Sequence, residues 1–118
     1  MLIFNQRLDI IRPGLVDDPY STVPVWDWDN VTYEPAPFPV SVQPSSSTEG
    51  GPDHPQTVTR LRMITPPGTD LPDLKSEDRV RVGGVMVCTV TGEPAHWPDP
   101  WRPGVVHHLE AELEVVRG

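Results

Sequence analysis

DRVRVGGVMVCTV, running from Asp78 to Val90, sets two short β-branched runs on either side of Gly83-Gly84. Glycine reaches positive φ without steric cost, so Gly-Gly between two such runs reads as the turn of an antiparallel hairpin. A lone hairpin is marginal in water, and this one calls for further strands.

Downstream, Thr91-Gly92-Glu93-Pro94 breaks the second run, and WPDPWRPG (97–104) reads as a proline-rigid loop. VVHHLEAELEVVR (105–117) is open to two readings. Leu109, Leu113 and Val116 have helical spacing, and the glutamate-rich stretch has good helix propensity. Period two fits as well: Val105, His107, Leu109, Ala111, Leu113 and Val115 fall on one face, with Glu110, Glu112 and Glu114 on the other. The free edge of the neighbouring hairpin favours the strand.

Upstream, alternation marks strands at 7–12 (Leu8 and Ile10 on one face), at 38–43 (Phe38, Val40, Val42) and at 57–65 (Leu61 and Met63 opposite Arg60 and Arg62). Residues 15–37 read as an ordered, proline-broken loop with one short strand pair at most. PSSSTEGGPDHPQ (44–56) has too little apolar area to offset chain ordering and reads as a flexible loop. The expected fold is all-β: a small β-barrel or sandwich of about six strands with long proline-rich loops, in one domain over 1–118.

Sixteen prolines and nine glycines would suit a disordered chain, but the prolines crowd into 13–55, 66–72 and 94–103 and spare the strand segments. A net charge of −8 opposes wrapping of nucleic acid by phosphate neutralisation. Cys88, the single cysteine, excludes an internal disulfide and suits a reducing compartment. No stretch reaches the ~20 apolar residues of a spanning helix, and MLIFNQRLDIIRPG lacks the features of a secretion signal, so no membrane partner is expected.

No catalytic apparatus can be assembled from these residues. The serines lie at 21, 41–47 and 76, outside any Gly-x-Ser-x-Gly elbow. No cofactor is expected: Gly50-Gly51 and Gly83-Gly84 have no following Lys-Ser/Thr to cradle phosphate. No metal is expected either, because adjacent His107 and His108 on a strand should point to opposite faces and no His-Glu-x-x-His spacing occurs. Asp27 and Asp29, beside Trp26 and Trp28, read as solvated turn formers rather than a catalytic pair. Trp26, Trp28, Trp97 and Trp101 could stack on bases or sugars, but core or subunit contact is the favoured role, which makes them the interface candidates.

The order of short motifs carries a family resemblance: Arg12-Pro13-Gly14, Asp18-Pro19-Tyr20, Ser47-Thr48-Glu49, the run from Asp78 to Gly84, Val90-Thr91-Gly92-Glu93-Pro94 and Trp97. Together they resemble the head-to-tail stopper, or head-closure, proteins of long-tailed phages, particularly those of actinobacterial hosts. The resemblance implies a small β-barrel in a homo-oligomeric ring, of twelve or six copies, between the portal and adaptor on one side and the tail terminator on the other. It implies assembly in the host cytoplasm, a place in the virion, and non-specific proximity to DNA. The channel-gating loop implied is Pro44, Ser45, Ser46, Ser47, Thr48, Glu49, Gly50, Gly51, Pro52, Asp53 and His54. A polar loop without Lys or Arg suits a gate that must not grip phosphate. A tail terminator or adaptor, and a small carbohydrate-binding or ligand-binding β-domain, are the alternatives.

Overall fold

The computed structural model describes residues 2–48 and 57–116. The chain is all-β and forms one curled, half-barrel sheet. In chain order its strands are β1 (Leu8–Val16), β2 (Val25–Pro35), β3 (Ser41–Thr48), β4 (Thr57–Ile64), β5 (Arg79–Val82), β6 (Met86–Pro98) and β7 (Val106–Val115). The sheet order is β2-β1-β5-β6-β7-β4-β3, and every neighbouring pair is antiparallel.

The β5–β6 turn follows from glycine: Gly83 and Gly84 have φ of 65° and 77°, the pair of left-handed positions that brings two right-twisted strands back together. β7 is a strand, and Leu109, Ala111 and Leu113 are buried at period two as its alternation requires. Its acidic face meets β4 in cross-strand charge pairs, with Arg62 opposite Glu112 and Nε to Oε1 at 3.2 Å.

β2 corrects the expectation of a mostly irregular 15–37. Pro24 and Pro35 flank the segment and leave its interior free to pair with β1. Its alternation is hidden by a bulge: register jumps from Pro13↔Val31 to Gly14↔Asp27, leaving Trp28, Asp29 and Asn30 without opposite residues. Gly14 is required there, because a Cβ would stand 3.0 Å from the Asn30 carbonyl oxygen.

β3 corrects a second boundary. Pro44, Ser45, Ser46, Ser47 and Thr48, expected in a flexible loop, continue the strand along β4 as far as Thr48↔Thr57. Backbone pairing does not need apolar side chains, and an edge strand admits proline with its missing N–H on the free side. The remaining residues of that loop, Glu49, Gly50, Gly51, Pro52, Asp53 and His54, lie outside the described residues.

The two edges of the sheet meet along one stretch of chain. After Pro35 the Ala36 N–H donates to the Leu8 carbonyl at 2.8 Å, and Gln6 and Val40 exchange backbone bonds of 3.0 and 2.8 Å. Residues 25–48 therefore act as a single long strand that turns a proline-rich corner at 36–40, pairing first with β1 and then with β4. Inside the curl lie Leu8, Ile10, Val40, Leu61, Met63, Leu71, Leu74, Val80, Val82, Cys88, Val90, Leu109, Ala111 and Leu113.

Three hairpins, β1–β2, β3–β4 and β6–β7, run beyond this core as arms. The radius of gyration is 16.6 Å, against about 13.5 Å for a compact chain of this length. Outside the curl, Asp9 is fully buried beneath this framework, facing Arg81 on β5 and Pro35 on β2.

Candidate functional site

The four tryptophans divide between two places. Trp26 and Trp28 stand on β2 beside its bulge, and Trp97 and Trp101 at the far end of the β6–β7 arm. None belongs to the core cluster: Trp26 is 65% exposed, Trp97 49% and Trp101 89%. Of the three roles considered for them, stacking platform, core filling and subunit contact, core filling is thereby set aside.

Trp26 and Trp28 line a groove of about 580 Å³ with Arg12, Pro13, Ser76, Glu77, Asp78, Arg79 and Thr89. The Arg79 guanidinium lies 4.2 Å from the centre of the Trp28 ring, a cation–π contact that fixes the floor. Arg12 is neutralised by Glu34 at 3.3 Å and Asp78 at 3.5 Å. Glu77 holds a left-handed φ of 73°, uncommon for a residue with a Cβ, and has no ion-pair partner among the described residues. Its backbone is fixed by an N–H donated to the Val90 carbonyl at 2.8 Å.

The bulge that carries Trp28 is held by Asp27. Its carboxylate accepts the Asn30 side-chain amide at 2.6 Å and the Asp29 N–H at 3.0 Å, and these bonds hold the carboxyl below the usual aspartate range. Asp27 is thus the turn former its sequence context suggests, and Asp29 takes part through its backbone.

At the other end, the Trp97 ring stacks on His108, with centroids 6.4 Å apart and planes 20° apart. The His107 and His108 Nδ1 atoms are 2.8 Å apart, so the adjacent histidines meet instead of facing opposite ways. The cause is the register shift between Trp97 and Pro98: Trp97 pairs with His108 and Pro98 with Val106, leaving His107 unpaired. Glu110 Oε2 lies 3.3 Å from His108 Nε2. Among the described residues no group of three or more metal-ligating side chains occurs.

The tip beyond Trp97 is tightly ordered. The Asp99 N–H donates to the Val105 carbonyl at 2.8 Å, the Val105 N–H to the Arg102 carbonyl at 3.2 Å, and the Trp101 N–H to the Asp99 carboxylate at 2.8 Å. Between the two ends, Thr91, Glu93, Ala95, Trp97, Glu110, Glu112 and Arg62 line a second, acidic hollow of about 310 Å³. Ser45, from the expected gating loop, donates to Glu112 at 2.8 Å on this face. Cys88 is buried in the core, and burial pushes its thiol up to about 11.

Sequence reasoning missed the groove, because Arg79 and Trp28 meet across the sheet order and not along the chain. A usable signal was present: in DRVRV the valines fill the core, so Arg79 and Arg81 must both emerge on the other face. No known family model, curated protein or solved structure matches this chain.

Proposed function

We propose that the chain is a non-enzymatic structural protein of the virion, a head-to-tail connector subunit that forms a ring between the portal or adaptor and the tail and closes the DNA channel. The observation that carries this reading is the division of labour within the fold: a small apolar core holds three hairpin arms, two of which, β1–β2 and β6–β7, expose tryptophan and other apolar side chains. Exposed aromatics on a rigid frame are what a docking surface requires and what a solitary solvated domain avoids.

The order of motifs from Arg12 to Trp97 supports the stopper in particular. The β3–β4 arm, whose described end is Thr48↔Thr57, bears the segment assigned to the gate. A net charge of −8 suits a surface that DNA passes without adhering. The all-β architecture weighs against the alternatives within the connector, since an adaptor should be dominated by helix and a terminator should flank its sheet with helices.

Negative-stain imaging of the purified chain bound to its portal tests the reading, with an added ring of density expected on the tail-facing side. The groove at Trp26 and Trp28 is the one feature that favours a ligand-binding β-domain instead. Saturable micromolar quenching of tryptophan fluorescence by an oligosaccharide, without binding to the portal, would select that alternative.

A further inference from the structure

Trp101 is the most exposed of the four indoles, and its exposure is built in. Three backbone-directed hydrogen bonds and the left-handed Gly104 hold the tip rigid, so presenting this ring loses little entropy on docking. Beside it, Arg102 touches only Asp99, at 3.5 Å, and remains largely exposed. The groove on β2 has the complementary features: two indoles, a proline and the carboxylate of Glu77, which has no ion-pair partner among the described residues. Tip and groove cannot meet within one molecule, because Thr89 at the groove and Trp97 below the tip pair with Glu114 and His108, six residues apart on β7, about 20 Å of extended strand.

We propose that the Pro98–Gly104 tip of one copy docks in the Trp26/Trp28 groove of the next, Trp101 lying against the indoles and Arg102 pairing with Glu77. The occupant is a second copy because the tip supplies the charge and the planar apolar surface that the groove lacks a partner for. Two different patches make the contact heterologous, so it propagates head to tail and closes into a ring when the rotation per subunit divides a full turn. This rests on the ring assembly proposed above and names the surfaces that build it.

Sedimentation velocity of the purified chain, with Trp101→Ala, Trp26→Ala, Arg102→Glu and the double variant Arg102→Glu/Glu77→Arg, provides the test. Each single variant should weaken self-association about 30-fold, and the charge-swapped double variant should recover most of it. Trp26 and Trp101 are exposed, so their variants should keep the wild-type melting temperature; Arg102→Glu also removes the Asp99 ion pair, and recovery in the double variant distinguishes docking from local unfolding of the tip. Rings that form equally well from Trp101→Ala would overturn this contact and leave the connector reading intact. A wild-type chain that stays monomeric up to millimolar concentration, yet still adds a ring of density to the portal, would also overturn it.

Discussion

The Arg81 guanidinium grips the fully buried carboxylate of Asp9 across the β1–β5 ladder, with Nε at 3.1 Å and Nη2 at 2.9 Å from Oδ2. Arg81 itself is capped by the Tyr33 ring at 3.8 Å, and Arg7 supplies a second, longer contact to Asp9 at 3.4 Å. The pair locks β2 onto the outside of the sheet, on the side where apolar packing is thin. Arg81→Met leaves a carboxylate sealed from water with only Arg7 beside it. Urea denaturation should show a loss of about 3 kcal/mol, and Asp9→Asn/Arg81→Met together should cost less than Arg81→Met alone.

Thr65 stands in for a missing rung. Its hydroxyl accepts the Leu109 N–H at 2.8 Å and donates to the Thr69 carbonyl at 3.3 Å, while its own N–H donates to Leu109 at 3.0 Å. Thr65→Val keeps the shape and orphans a buried donor. A destabilisation of about 1–3 kcal/mol is expected, with faster hydrogen exchange at the Leu109 amide.

Asp27 sets a pH limit on the bulge. Its carboxyl lies below the ordinary value of 3.8 because the Asn30 amide and the Asp29 N–H bind the charged form. A depressed folded value means the contribution is present above the unfolded pKa and fades as pH falls through the folded one. Carbon-detected NMR titration should place Asp27 below an ordinary aspartate, and Asn30→Ala should move it upward.

Cys88 reports on global opening. Its thiol is raised from 9.0 to about 11 by burial, so the folded chain keeps the proton that the unfolded chain loses. Stability is independent of this group below pH ~9 and declines as pH rises from there towards the folded value. A thiol reagent at pH 8 should react slowly with the native chain and at the rate of a free cysteine in urea.

Deletion of residues 51–54 leaves Glu49, Gly50, Pro55 and Gln56, a four-residue connection, between the paired Thr48 and Thr57. On the proposed stopper reading, melting temperature and ring assembly should be retained while virions carrying the deletion lose packaged DNA; retained genomes would overturn the gating role of this loop.

Much of the sheet was legible because its signals are local. Gly83-Gly84 can do little else between two valine runs, and once that hairpin offered a free edge the alternation of Leu109, Ala111 and Leu113 gave their face. What escaped depends on departures from alternation. The three-residue bulge at Trp28–Asn30 broke the pattern of β2, and the shift at Trp97/Pro98 turned His107 towards His108. Asp9 escaped for a different reason: burial of a carboxylate is decided by who covers it, and its cover comes from Tyr33 and Arg81, 24 and 72 residues away along the chain. The tryptophan residue types were readable, but their sorting into a groove and a tip required the sheet order.

The corner at 36–40 gives the molecule a lever. The groove-bearing strand and the strand leading to the gating segment are the two limbs of one backbone, pivoting where Gln6 and Val40 clasp. The groove-bearing limb and the limb paired with β4 are joined directly through residues 36–40, with no other element between them. Under the assembly proposed above, a neighbour seated in the groove would bear on the same stretch of backbone that enters the β3–β4 arm.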